Sequence, residues 1–346
     1  MKIWHNLYEE ITTLESIFQA WDEFIKDKKK KQDVVEFTRH LEDNLFALYT
    51  SLLEKTYQHG GYKSFYVRDP KVRHISKAIV RDRVTHHLVS NVLEKVFDPT
   101  FYAHSYSCRK NKGTHKGVLS FSNQLRKLSK NNTSPAYVLK CDIKKFFASV
   151  DHAVLLDKLQ KKIKDEDFLW LLREIVTSFR VEPSEAKGMP IGNLTSQFFA
   201  NIYLDPFDKF IKNTVKAPYY IRYADDFALM ADNKEYLEDL LPKIEKFLKD
   251  ELNLSLHPNK VSIRDYYLGI DFLGYIVFPH FILPRTKTKK RILRKIRKKI
   301  VLFKENKVSA ETLQQSLQSY LGYLSHADSF KFSQNLKNQV LFWLNT

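Results

Sequence analysis

The sequence predicts an α+β fold built on one mixed sheet, and three observations lead there. A β-rich run, Ala136-Tyr137-Val138-Leu139-Lys140-Cys141-Asp142, precedes two helical stretches. The aromatic segment 219–230 reads as two strand halves joined by a tight turn. A long amphipathic helix follows, and then further apolar strands at 254–256 and 272–277. Strand, helix, hairpin, helix, strand is the order of a split βαβ (ferredoxin-like) sheet with helices on one face and the other face open. With 346 residues, 43% of them hydrophobic, the chain has ample material for a packed core.

Residues 1–57 are expected to be helical. Leu14, Ile17, Phe18, Trp21, Phe24 and Ile25 follow a helical period, and Phe37, Leu41, Leu45, Leu48, Leu52 and Leu53 follow it again. The basic break between them, residues 26–31, reads as a solvated loop. Residues 61–80 have the composition of a hairpin turning at Asp69-Pro70, crowded by Lys71, Arg73, Lys77, Arg81 and Arg83. Such cations suit a triphosphate or a template strand, because an arginine can form bidentate bonds to phosphate oxygens. Residues 84–97 are predicted helical, and 105–115 form a basic loop with a turn glycine, Gly113. Helices are expected over 153–164 and 168–179. Residues 188–197 break the pattern with Gly188, Pro190 and Gly192 and open a helix carrying Phe198, Phe199, Ile202, Tyr203 and Leu204. Glycines ahead of a helix let the backbone approach a ligand closely. Asp232 or Asn233 caps the next helix, whose apolar face is Leu237, Leu240, Leu241, Ile244, Phe247 and Leu248. Between Arg285 and Lys307 stand 12 Lys or Arg against one acid, while Ile292, Leu293, Ile296, Ile300 and Phe303 keep an apolar stripe. A helix of that kind docks by one side and offers the other to a polyanion or to solvent.

The chemistry concentrates on the turn of the 219–230 hairpin, Tyr223-Ala224-Asp225-Asp226. Two adjacent acids held by apolar flanks in the body of a domain repel each other unless cations neutralise them; on an exposed tip they would simply face water. Asp142, at the end of the 136–142 strand, supplies a third carboxylate. Three oxygen ligands make a hard site for Mg²⁺ with positions left for substrate phosphates, and two such ions can serve nucleotidyl transfer. The net charge of +17, from 57 basic and 40 acidic residues, favours a polyanionic partner such as nucleic acid. Cys108 and Cys141 are the only cysteines, which excludes a disulfide framework or a cysteine zinc site. Without a signal-peptide core or a long apolar run, a soluble, cytoplasmic protein with no membrane role is expected.

Taken in order, Asp142 with Phe147, the 188–197 turn, Tyr223-Ala224-Asp225-Asp226, Lys260 and Phe272-Leu273-Gly274 resemble the motif series of reverse transcriptases. The resemblance runs from the first helices to near the carboxyl end. It implies a right-hand polymerase with helical and hairpin fingers over 1–135, a split βαβ palm over 136–278 and a short basic helical thumb over 279–346. It implies that Asp142, Ile143, Asp225 and Asp226 hold two Mg²⁺ ions, with Mn²⁺ as a substitute, and that Lys260 protonates pyrophosphate. Phe147 would exclude a 2′-hydroxyl, Arg73 and Arg81 would lie over the incoming deoxynucleotide and template, and residues 272–274 would grip the primer. Ile191, Gly192 and Gln197 would line the nascent pair.

Within that family, Ile191-Gly192-Asn193-Leu194-Thr195-Ser196-Gln197 is similar to the enzymes of diversity-generating retroelements. So are Arg81-Asp82-Arg83-Val84-Thr85-His86-His87, Ser105-Tyr106-Ser107-Cys108-Arg109 and Ser319-Tyr320-Leu321-Gly322-Tyr323. Where intron-encoded and retroviral enzymes generally carry a Gln after the proline, this chain has Ile191, which offers packing but no hydrogen bond around the pair. The resemblance then implies error-prone copying of template adenines from a structured template RNA into cDNA, in a bacterium or phage, alongside a small basic pentameric accessory protein. Ile191 as mere packing at the fingers–palm junction is the plain alternative. No His/Asn cluster of an endonuclease and no splicing extension follows the thumb, so neither nicking nor splicing is expected. A phage-defence reverse transcriptase and a catalytically idle RNA-binding scaffold are the competing functions.

Overall fold

In the computed structural model, which describes residues 2–68 and 71–346, the first segment forms helices Leu7–Ile11, Leu14–Ile25, Gln32–Thr38 and Leu41–Leu53. Thr13 caps the second of these, its Oγ1 accepting from the Ser16 amide at 3.1 Å, and Ile17, Trp21 and Phe24 are the buried stripe. Strands β1 (Tyr62–Arg68) and β2 (Val72–Ala78) pair antiparallel as the expected hairpin. Its turn at Asp69-Pro70 lies outside the described residues. Helix Val80–Phe97 begins earlier than the pattern suggested, because Ile79 is extended and already serves as its N-cap.

The central sheet contains β3 (Tyr137–Asp142), β4 (Tyr219–Tyr223), β5 (Asp226–Ala231) and β6 (Ser262–Asp265) in the spatial order β4-β5-β3-β6, every neighbouring pair antiparallel. That is the split βαβ order. Successive side chains on a strand point to opposite faces. Leu139, Cys141, Phe227 and Leu229 therefore face helices Leu194–Lys209 and Lys234–Leu252 and join the main core with Phe207, Ile244 and Leu248. Asn233 caps the second helix through its side-chain oxygen, as one of the two candidates.

Two expectations are corrected. The closing strand is β6, not residues 254–256; Leu256 makes only an isolated bridge to Ile143. Leu254 and Leu256 are apolar because they plug the core where helix Lys234–Leu252 ends, not because they pair in the sheet. Residues 272–277 are not one strand: β7 (Ile270–Phe272) and β8 (Tyr275–Val277) form a hairpin with β9 (Ile282–Pro284) beside it. Leu273 and Gly274 turn it with φ of 49° and 97°, the left-handed pair that a two-residue hairpin loop requires.

These strands also bear on the face expected to be open. Val138, Ile221, Ala228 and Met230 are covered by Val118, Phe121 and Leu125 of helix Thr114–Leu128 and by Ile270, Phe272 and Tyr275. The end of the sheet carrying the acids stays uncovered, and on the same face Ser262 and Arg264 of β6 line the cleft that opens there. Helices Thr286–Lys304, Ala310–Leu324 and Phe330–Asn345 build a third core from Ile292, Ile296, Ile300, Leu324, Leu336 and Val340, against which Leu293 and Phe303 also pack. The predicted apolar stripe is thus the buried side, and Arg294, Arg297 and Lys298 are on the exposed one. Among the described residues no helix is long and apolar enough to cross a membrane.

Candidate active site

Asp142 is the last residue of β3 and Asp226 the first of β5, and the two are partners in the antiparallel register. Asp225 occupies the turn between β4 and β5, and its carbonyl accepts from the Ile143 amide at 3.2 Å. Residues far apart in the chain thus share one end of the sheet. Burial pushes the Asp225 carboxyl up to about 6, and the charges of Asp142 and Asp226 push in the same direction. Asp226 is also raised, chiefly by burial, with Lys140 opposing.

Two ammonium groups stand on this cluster. Lys260 Nζ lies 2.6 Å from Asp142 Oδ1. Lys140 Nζ lies 3.7 Å from Asp226 Oδ1 and donates to the Asp271 carbonyl at 3.0 Å. They line a cleft of about 340 Å³ with Lys71, Asp142, Asp226 and Arg285. Among the described residues no three His, Cys, Asp or Glu side chains stand close enough together to hold a metal ion as they are. The donors nevertheless suit hard divalent cations: all are carboxylate oxygens, and a bound cation offsets both the burial and the like charges that raise Asp225. Ile143, being apolar, can offer an ion only its carbonyl.

Phe147 lies in the short helix Phe146–Ser149 just beyond β3; it is half-buried, and its carbonyl accepts from the Met189 amide at 2.7 Å. The 188–197 turn clasps the base of the β1–β2 hairpin. The Ser76 amide donates to the Ile191 carbonyl at 3.0 Å, Asn193 Nδ2 donates to the Ser76 carbonyl at 2.8 Å, and the Ala78 amide donates to Asn193 Oδ1 at 3.0 Å. Gly192 is at φ 121°, and a Cβ there would meet Ile75 Cγ2 at 2.8 Å. Gln197 is exposed on the first turn of helix Leu194–Lys209 and Arg73 is exposed on β2 opposite Val67. Arg81 is already committed: Nη2 donates to the Gln58 carbonyl at 2.5 Å and Nε to Asp82 Oδ1 at 3.2 Å. The structure therefore sets the three acids at one end of the sheet with Lys260 on Asp142, sets Ile191 and Gly192 at the hairpin base, and ties Arg81 elsewhere.

Residues 67–277, more than half of the chain, match the family described as reverse transcriptase (RNA-dependent DNA polymerase). The chain belongs to the reverse transcriptase family. It is 21% identical to the group II intron-encoded protein LtrA of Lactococcus lactis subsp. cremoris, over 68% of this chain and 49% of LtrA. It is 23% identical to protein YkfC of Escherichia coli (strain K12), over 59% of this chain and 63% of YkfC. The chain spans less than two thirds of the length of these curated relatives. Its fold is similar to that of apo telomerase from Candida tropicalis truncated from its C-terminal domain, with a TM-score of 0.50 and 13% identity over 71% of this chain and 60% of that one. The fold is accordingly that of a right-hand polymerase.

Two polar networks in this reverse transcriptase escaped the sequence reading. Asp82, fully buried, accepts from Tyr57 Oη at 2.9 Å and from the Gly60 amide at 2.8 Å. His86, one helical turn on, meets Thr195 Oγ1 at 2.7 Å and His59 Nε2 at 3.0 Å, and burial holds its imidazole down at about 3, so it is neutral. The second network lies under the acidic turn. Arg222, fully buried, donates through Nε and Nη2 to the two carboxylate oxygens of Asp208 at 2.7 and 2.6 Å. A signal existed: an arginine at an inward strand position requires a buried acid partner.

Proposed function

We propose that this chain is an RNA-directed DNA polymerase that extends a primer along an RNA template by two-metal nucleotidyl transfer. The observation that carries the proposal is the register of Asp142 against Asp226, both of which line a basic cleft, with Asp225 in the adjoining turn. Asp142, Asp225, Asp226 and the Ile143 carbonyl would hold two Mg²⁺ ions, with Mn²⁺ able to substitute. Bound there, the ions supply charge for activating a 3′-hydroxyl and for neutralising the departing pyrophosphate. Lys260, 2.6 Å from Asp142, would be freed when that carboxylate turns to an ion and would then protonate pyrophosphate. Phe147 limits the space at the sugar, Arg73 reaches the triphosphate, and Arg81 joins it only on leaving Gln58 and Asp82. Ile191, Gly192 and Gln197 line the nascent pair, where the Ile191 carbonyl and the Asn193 side chain also anchor the fingers hairpin. Fingers over 1–135, palm over 136–278 and thumb over 279–346 are the working units.

The biological setting we propose is a diversity-generating retroelement. Ile191 is an apolar residue with no side-chain hydrogen-bonding group where a glutamine would hydrogen-bond, and this supports adenine-directed errors in the cDNA. A structured template RNA, the cDNA/RNA duplex, deoxynucleoside triphosphates and a small basic pentameric accessory protein are its proposed partners. DNA flanking the gene should contain two near-identical repeats differing mainly at adenines.

The decisive experiment measures Mg²⁺-dependent deoxynucleotide incorporation on a primed RNA by the wild type, Asp225→Ala and Asp226→Ala. Extension by the wild type alone is expected. Incorporation that survives loss of either acid removes the metal assignment.

A further inference from the structure

Ala224 precedes Asp225 in the turn and sits at φ 54°, in the left-handed region that a residue with a Cβ adopts only at a cost. Asn or Gly would reduce that cost, and neither is present. Something outside the turn therefore has to hold it. The group in position is Arg222. Its Nε and Nη2 are fixed on Asp208, and Nη1 donates to Asn201 Oδ1 at 3.2 Å and to the Ala224 carbonyl at 3.3 Å. Tyr220 Oη donates to Asp208 Oδ1 at 2.7 Å, so the acid is itself oriented by a third group. Both charged side chains are fully shielded from solvent.

A buried ion pair is weak evidence for stability, because desolvating two charges costs about as much as their attraction returns. What it can do is fix geometry. The Ala224 carbonyl and the Asp225 amide belong to one planar peptide unit, so holding that carbonyl sets the direction in which Asp225 leaves the turn. Asp208 and Asn201 both come from helix Leu194–Lys209, whose N-terminal end carries Gln197 and follows the turn that clasps β2. The main chain of Arg222 is fixed as well: its amide donates to the His104 carbonyl at 3.0 Å, and its carbonyl accepts from the Tyr106 amide at 2.9 Å.

Resting on the metal-site assignment above, we propose that Arg222, oriented by Asp208, is a positioning residue that holds the Ala224–Asp225 peptide so that Asp225 faces Asp142. It touches neither substrate nor ion. Its contribution is to the rate of the chemical step and to the ion concentration that step needs, and not to the grip on template and primer.

The test uses the full chain and two variants. Asp208→Leu/Tyr220→Phe/Arg222→Met removes the ion pair and the tyrosine bound to it without leaving a buried charge unpaired, while Asn201 keeps its partners Ser105 and Ser107; such a replacement is often neutral for stability. Arg222→Lys keeps a cation for Asp208 but loses the fork that spans to Ala224. Measured are the melting temperature, the dissociation constant for a primed RNA, the single-turnover extension rate and the Mg²⁺ concentration for half-maximal rate, with wild type and Asp225→Ala alongside. Expected are near-wild-type melting and primed-RNA affinity, a higher Mg²⁺ requirement and a rate lower by about a hundredfold, as for a misplaced reacting group. A folded triple variant that extends at the wild-type rate overturns the positioning role. If the triple variant does not fold, Arg222→Lys decides: slow extension with intact primed-RNA affinity supports the role, and wild-type extension refutes it. Undiminished extension by Asp225→Ala would instead remove the metal-site assignment, so the two failures are distinguishable.

Discussion

Replacing Asp225 by Asn should stabilise this protein while abolishing its chemistry, and the size of the gain follows from the site. The carboxyl rises from an ordinary 3.8 to about 6, first through burial and then through Asp142 and Asp226. A folded-state pKa above the unfolded one means that folding takes up a proton. The stabilisation is therefore complete below about pH 4 and is lost as pH rises through about 6. Two units correspond to roughly 3 kcal/mol, or about 2 kcal/mol once the solvent-exposed part of the group is discounted. Asn keeps the shape without the charge, so at pH 8 in a chelator Asp225→Asn should be more stable than wild type by about 2 kcal/mol, and the gap should close toward pH 4. Urea denaturation of both proteins at pH 8, 6 and 4.5 measures it. Taking the difference between the two cancels other titrations, notably His86, which is held neutral to about 3 and so destabilises the fold as pH falls below its ordinary range. Adding Mg²⁺ at pH 8 should then stabilise the wild type more than the variant, because only the wild type relieves its full repulsion by binding the ion. Equal stability at pH 8 without divalent ions, or a gap that does not narrow in acid, would refute the picture of a buried Asp225 carboxylate crowded by Asp142 and Asp226.

Three other outcomes are expected. Gly192→Ala places a Cβ 2.8 Å from Ile75 Cγ2 at φ 121°, so it should cost about 1–3 kcal/mol in urea denaturation and raise KM for deoxynucleotides as the fingers hairpin loses its seat. Ile191→Gln should lower misincorporation opposite template adenine when the cDNA is sequenced; an unchanged error spectrum would count against adenine-directed copying. Lys260→Met removes the 2.6 Å partner of Asp142 and any proton donor there, so kcat should fall by about a hundredfold or more with little change in KM. A rate that keeps its wild-type value would leave Lys260 a purely structural counter-ion.

What could be read from the sequence, and what could not, divides along physical lines. The helices, the central strands and the acidic hairpin were legible because burying one face imposes a period of 3.6 or 2 on apolar residues. Strand β6 was not: Ser262-Ile263-Arg264-Asp265 lies at the edge of the sheet and has a single apolar residue, while the more apolar Leu254 and Leu256 are used as a plug. The β7–β8 hairpin was hidden because Leu273 occupies a left-handed turn position that usually advertises itself as Asn or Asp. At the site, the carboxylates announced themselves by type, since paired acids in an apolar setting have few uses. The groups that orient them did not. Arg222 stands on an inward position of β4, from which a buried acid partner follows by electrostatics alone, yet that partner lies 14 residues earlier on a helix. Local pattern can state that such a charge must be met, but only the three-dimensional packing of helix against sheet selects Asp208 from the acids within reach. Residues that act by orienting others are thus the least visible part of a site in sequence, and buried polar groups with every hydrogen bond accounted for are where to look for them.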